Sequence, residues 1–156
     1  MTLFVNIKKR QIKFNKEVLI LRKLRRNILY KNLPQSYANY EEDFFKTTMH
    51  IILKKDDTIL SALTLIKKDY RYKRNLNAYQ IRGMFTLPKY RHIGIGSKLI
   101  QYTIDMVRKD DKVRLLWCNA RKNSFNFYKK NYFEKCSGKF YIKQIGIHYK
   151  MYFDYN

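Results

Sequence analysis

Apolar residues recur along this chain in two periods, and the order in which those periods succeed one another predicts most of its elements. Residues 2–14 alternate loosely, as an opening strand would. Over 16–31 (KEVLILRKLRRNILYK), Val18, Leu21, Leu24, Ile28 and Leu29 fall on one helical face, and Leu33-Pro34 ends the run. Residues 35–46 form a polar, aromatic connection with room for a short helix. Strands follow at 47–54 and 58–67, joined through Asp56-Asp57, which suits a hairpin turn. A basic loop (68–77) leads into a strand at 78–88 that Pro88 closes. Ile95, Leu99, Ile100, Ile104 and Val107 then give 94–108 the stripe of an amphipathic helix. A strand at 112–119, a short helix at 122–130 and strands at 133–142 and 145–153 complete the reading.

Only the connection from 78–88 to 112–119 passes through a helix, so only that pair of strands has the form of a parallel crossover. The neighbouring connections are hairpins. An α/β chain of the α+β type follows, with a mixed, mostly antiparallel sheet flanked by helices. No linker, repeat or low-complexity stretch divides it, and a single domain over 1–156 is expected. No apolar run approaches the roughly 20 residues that span a bilayer. The first residues lack the charged-then-apolar order of a signal peptide, so a cytoplasmic location is expected.

Charge adds a question. Thirty-four Lys and Arg stand against 12 Asp and Glu, a formal net charge of +22. Such a field draws polyanions, nucleic acid among them. Yet the lysines are spread along the chain, in a composition also rich in Asn, Ile, Tyr and Phe and poor in Ala and Gly. Coding bias and a solvated surface explain that spread more simply. The two cysteines, Cys118 and Cys136, have no CxxC spacing, and no His/Cys cluster offers a metal site.

The densest chemistry lies where the 78–88 strand meets the following helix, in Arg91-His92-Ile93-Gly94-Ile95-Gly96. Two glycines there permit a tight turn that aims several backbone N–H groups in one direction. The helix start adds about half a positive charge. Such a loop seats an anion, and a pyrophosphate fits it. Arg91 contributes a further cation.

This loop matches the Gln/Arg-x-x-Gly-x-Gly/Ala signature of the GNAT superfamily of N-acetyltransferases at Arg91, Gly94 and Gly96. Leu116-Trp117-Cys118-Asn119-Ala120-Arg121 with Phe127-Tyr128 resembles a second block of one branch of that family. Gln80-Ile81-Arg82-Gly83-Met84 resembles its strand before the loop. Ile145-Gly146-Ile147-His148-Tyr149-Lys150-Met151 is similar to a segment near its end, and Leu24-Arg25, Ile28-Leu29 and Thr48-Met49-His50 have counterparts too. The chain departs from the pattern at Tyr132, where the family usually has Gly, at Ile147, where Pro is common, and at Ser61, often Gly.

The resemblance implies a GNAT fold of about seven strands with a central parallel pair, 78–88 and 112–119, that splays. It implies acetyl-CoA as cosubstrate. Backbone groups of Met84, Phe85 and Thr86 would then bond the pantetheine arm. Residues Arg91, His92, Ile93, Gly94, Ile95 and Gly96 would hold the pyrophosphate, with Ser97 and Lys98 at the helix start. Arg121 is a further candidate for contact with coenzyme A. Tyr128 stands where the family places the proton donor for the departing thiolate.

An amine must lose a proton to react, so a base is needed as well. Neither of the two central strands carries Glu or Asp. His148 is the preferred base, since an imidazole near pKa 6.5 suits proton transfer. His50 could join or replace it on the substrate side, and Arg82 could orient an acidic part of the acceptor. The acceptor itself stays open between a small-molecule or peptide amine and an amine linked to tRNA, and a homodimer is compatible with the family. A rival from another class is a basic nucleic-acid-binding module on an inactive GNAT fold, stacking bases on the aromatics of 68–74 (KDYRYKR).

Overall fold

The computed structural model describes residues 2–7, 16–70 and 77–155. Its strands are β1 (Thr2–Ile7), β2 (Met49–Lys55), β3 (Thr58–Lys67), β4 (Asn77–Thr86), β5 (Val113–Arg121), β6 (Glu134–Lys135), β7 (Phe140–Ile142) and β8 (Gly146–Asp154). Its α-helices are α1 (Lys16–Leu29), α2 (Ile95–Arg108) and α3 (Phe125–Lys130). Strands pair in the order β1-β2-β3-β4-β5-β8-β6, with β7 also on β8. The chain divides into two compact units, 1–66 with 83–99 and 67–82 with 100–156.

In the first unit β1 and β3 flank β2, both antiparallel to it. Asp56 takes the left-handed conformation (φ 52°) that the β2–β3 turn requires, which Asp tolerates better than most residues. Leu21, Leu24 and Ile28, spaced three and four apart on α1, pack with Ile52, Ile59, Ala62 and Phe85 into one core cluster. That stripe is what fixes α1 on its sheet.

In the second unit β5 is the organiser. It runs parallel to β4 from Asn77↔Val113 to Ile81↔Cys118, and antiparallel to β8 from Leu115↔Asp154 to Arg121↔His148. Tyr70, Ala78, Leu115 and Trp117 form a core cluster there. This is the mixed sheet expected, with one parallel pair.

Several boundaries differ from the periodic reading, each for a local reason. β4 ends at Thr86 rather than 88, because Pro88 has no N–H to donate and starts a 3-10 turn over Pro88–Tyr90. The strand expected at 133–142 is broken into β6 and β7, both on β8. Between them the Ser137 hydroxyl accepts the Lys150 N–H (2.9 Å), displacing backbone from the ladder. Residues 35–46 hold two 3-10 turns, Gln35–Tyr37 and Glu41–Phe44. The opening strand is observed over Thr2–Ile7, and the rest of 2–14 lies outside the described residues.

Candidate active site

The first unit carries the expected cofactor residues Met84, Phe85, Thr86 and 91–97. Ser61 Oγ donates to the Phe85 carbonyl (2.7 Å) and meets Thr86 Oγ1 (3.0 Å), so the end of β4 is tied to β3. Arg91 Nε donates to the Thr86 carbonyl (3.2 Å), which holds this exposed cation at the mouth of the loop. His92 and Gly94 both sit at positive φ, 63° and 83°. A peptide run turned in this way directs successive N–H groups inward. The first bond of α2 is Lys98 N–H to Gly94 O (2.9 Å), so the N–H groups of 95–97 precede the helical ladder. Ile93 projects outward, 67% exposed.

Behind β4, in the same unit, lies a buried polar network that periodicity could not reveal. Arg25, 1% exposed, donates to both carboxylate oxygens of Asp43 (2.9 and 2.8 Å), to the Ala38 carbonyl (3.1 Å) and to Thr64 Oγ1 (2.8 Å). Arg22 adds a bond to Asp43 Oδ2 (2.8 Å). Burial alone would raise the Asp43 carboxyl, but the bonds and charge of Arg25, with help from Arg22, hold it below its usual 3.8.

His50 belongs to this network. Its Nε2 lies 3.0 Å from the Asp43 carbonyl, which can only accept, so Nε2 carries the proton. Nδ1 then accepts from the Thr64 hydroxyl (2.9 Å). Fully buried, His50 is built into the scaffold instead of facing an acceptor.

The network presses directly on β4. Gly83 adopts φ +58°, and a Cβ there would lie 2.8 Å from Tyr40 Oη and 3.0 Å from Arg25 Cδ and Nε. Tyr40 is itself pinned, by Tyr30 Oη (2.7 Å) and by the Arg25 guanidinium 4.3 Å over its ring. A side chain at 83 would therefore meet both a strained backbone and a rigid wall.

The second unit carries Tyr128, His148, Arg82 and Arg121. Tyr128, on α3, is buried and hydrogen-bonded to the thiol of Cys118 on β5. Burial raises the pKa of both groups, so phenol and thiol stay protonated at neutral pH. Phe127 and Phe133 flank the Tyr128 ring edge-on at 5.2 and 5.3 Å.

His148 lies opposite Arg121 in the β5–β8 register. Its Nδ1 is 2.7 Å from the Gly146 carbonyl, so Nδ1 holds the proton and Nε2 presents the lone pair. Burial, and to a lesser degree the charge of Arg121, lower its pKa against the opposing pull of Gly146. A neutral imidazole with a fixed tautomer results. On the neighbouring stretch of β5, the buried Oδ1 of Asn119 has no hydrogen-bond partner.

The aromatics proposed as base-stacking platforms divide in two. Tyr70 is buried, 5.5 Å from Trp117 and bonded to Cys136 Sγ (2.8 Å), so it offers no open face to a base. Residues 71–74 lie outside the described residues. Among the described residues no helix is long and apolar enough to cross a membrane.

A family model described as acetyltransferase (GNAT) family matches residues 19–135. The chain is 30% identical over 129 residues to YitI of Bacillus subtilis, an uncharacterized N-acetyltransferase, across 83% of this chain and 86% of that one. Its fold is similar to that of Escherichia coli ElaA, with TM-score 0.78 and 17% identity over 97% of this chain and 99% of the other. Arabidopsis thaliana NAA60, solved with acetyl-CoA, gives TM-score 0.74 and 14% identity over 99% of each. An aminoglycoside 6'-N-acetyltransferase solved with coenzyme A gives 0.71 and 12% over 96% of each. At such identities these structures speak to fold alone.

Proposed function

The chain belongs to the GNAT acetyltransferase family, and on that premise we propose that it moves an acetyl group from acetyl-CoA to the nitrogen of a primary amine by direct attack. Acetyl-CoA supplies the activated acyl group as a thioester. The turned backbone at 92–94 and the start of α2 fit its pyrophosphate, with Arg91 as a neighbouring cation. The end of β4, Met84 to Thr86, receives the pantetheine arm, and a backbone N–H there steadies negative charge on the carbonyl oxygen.

The observation that carries the chemistry is the protonated Tyr128–Cys118 pair. A thiol whose pKa is driven up by burial is a poor nucleophile, which supports direct transfer over an acetyl-cysteine intermediate. The phenol keeps its proton until a stronger base, the departing sulfur, asks for it. Nε2 of His148 takes the proton that the amine must lose. A cytoplasmic setting, where acetyl-CoA is available and cysteines stay reduced, suits this reading.

The test is acetyl-CoA-dependent acetylation of a panel of primary amines, read as released coenzyme A thiol. Turnover that depends on both acetyl-CoA and amine supports the reading. A folded protein that neither binds acetyl-CoA nor releases thiol overturns it.

A further inference from the structure

Lysines are spread along the chain, but exposed aromatic rings are not. Among the described residues two tyrosines are exposed, Tyr132 (76%) and Tyr141 (70%), and both lie in the second unit. The stretch that holds them, from Lys122 to Lys143, carries six lysines, all exposed, against one carboxylate, Glu134. Glu134 accepts from Tyr152 Oη (3.0 Å), and none of the six lysines joins an ion pair among the described residues.

Strand register brings rings and cations to one side. Directly paired residues of neighbouring strands project to the same side of a sheet, and residues two apart on a strand do too. Tyr141 pairs with Ile147, itself 37% exposed, and Lys135 pairs with Met151, so both project to the side of Ile147, Tyr149 and Met151. α3 packs on that side, with the Phe125 ring 5.2 Å from the Tyr149 ring, and Lys135 Nζ stands 5.9 Å from the same Tyr149 ring. The Tyr132 N–H bonds to the Lys129 carbonyl (3.1 Å), which sets the exposed ring beside the basic end of α3. Along β8 the positions opposite Lys135 and Tyr141 are four residues apart, roughly 13 Å.

Tyr132 occupies its place at a cost. A left-handed φ (67°) disfavours any side chain with a Cβ, and the ring gains little burial in return. An observed strain of this kind, on a ring held open to solvent between lysines, points to a ligand for the ring.

We propose that this side of the second unit binds single-stranded nucleic acid, with Tyr132 and Tyr141 stacking on bases and the lysines of α3, β6 and β7 facing phosphates. Each unit of such a strand offers both a flat ring and an anion. An acidic polypeptide would meet the lysines and leave the rings unused. His148 alternates with Ile147 and Tyr149 and so lies on the other side of β8. The binding surface is therefore separate from the proposed base, and it goes beyond the acetyltransferase reading without depending on it.

Fluorescence anisotropy tests it, with the full chain titrated into a labelled single-stranded oligonucleotide of about 12 nucleotides. Binding is expected at about 50 mM salt, with log K falling linearly against log salt. Tyr141→Ala and Tyr132→Gly should each weaken it about 5-fold or more, while Tyr141→Phe keeps the ring and the affinity. Tyr132→Gly also relieves the backbone, so its loss of affinity would not come from unfolding. Lys129→Gln with Lys130→Gln should weaken binding more than Lys16→Gln with Lys23→Gln, an equal change of charge on α1. Absence of binding overturns the proposal. So do ring variants that bind like the wild type, or equal losses from the two lysine pairs, since net charge alone would then be at work. Polyglutamate that competes as well as unlabelled oligonucleotide would overturn it in favour of an acidic polypeptide.

Discussion

The Tyr128 hydroxyl and the Cys118 thiol are hydrogen-bonded to each other inside the second unit; burial raises the cost of ionising both, Cys118 adds to that cost for the phenol, and the Tyr128 bond only partly offsets it for the thiol. This pairing separates two mechanisms. Tyr128→Phe removes the proposed proton donor and leaves the ring packed between Phe127 and Phe133, so turnover should fall about 10²- to 10⁴-fold with an unchanged melting profile. Cys118→Ala should keep turnover within the same order of magnitude. Intact mass after incubation with acetyl-CoA should show no acetylated Cys118. An acetyl adduct on the wild-type cysteine, missing from the variant, would reverse the assignment.

With His148 as the proposed base, its titration should set the acid limb of the pH profile. Burial lowers its pKa from the ordinary 6.5, so the neutral base persists below that value and kcat/KM should fall only at lower pH. Arg121→Gln removes a like charge from the opposite strand and should move the limb upward. His148→Gln should abolish it. Stability follows the same sign. Below pH 6.5 the unfolded chain takes up a proton that the folded imidazole resists, so His148 makes stability fall as pH drops from 6.5 through the lowered folded value.

Arg25 and Asp43 form an ion pair with both side chains at 1% exposure or less. Breaking it from one side strands a buried charge, and Arg25→Met should cost about 3–5 kcal/mol in urea denaturation. The double change Arg25→Met with Asp43→Leu should cost less than the sum of the singles, because neither member of the fully buried pair is left without the other. Asp43 is held below pKa 3.8, so its contribution is present above that pH and lost as pH falls through the lower folded value. Asp43→Asn should flatten that acid loss.

Tyr132 occupies a left-handed position (φ 67°) with 76% of its surface exposed. Its ring contributes little burial there, while its Cβ strains the backbone that turns α3 into β6. Tyr132→Gly should raise stability by up to about 1 kcal/mol. Tyr132→Ala keeps the strain and should bring no such gain. A thermal melt compares the two.

What the sequence made legible was what repeats. The stripe Leu99, Ile100, Ile104, Val107 gave α2, and short apolar runs bounded by turn residues gave β3 and β5 nearly to the residue. The loop residues 91–97 and Tyr128, the proposed donor, were singled out through motifs that resemble those of a family. The support behind them was not. Arg25 and Asp43 are 18 residues apart, one on a helix and one in a 3-10 turn, and no period links them. Gly83 reads as one more strand residue until its φ and the wall formed by Tyr40 and Arg25 are seen. His50 read as a substrate contact because a lone histidine beside apolar strands looks functional, yet Thr64 and the Asp43 carbonyl occupy both its nitrogens. The partnerless Asn119 oxygen follows from three-dimensional packing alone.

The central claim is that the turn before α2 holds the phosphates of acetyl-CoA, and one isothermal titration series tests it most directly. Gly94, at φ +83° with open space where a Cβ would stand, accepts Asn or Asp with similar backbone strain, since both enter the left-handed region readily. The two variants differ only by a charge at the proposed phosphate seat. Wild-type protein should bind acetyl-CoA, Gly94→Asn should weaken binding modestly, and Gly94→Asp should weaken it at least about 10-fold further, a like-charge cost of roughly 1.4 kcal/mol. Equal affinity for Asn and Asp variants of equal thermal stability would contradict a phosphate seat at this turn.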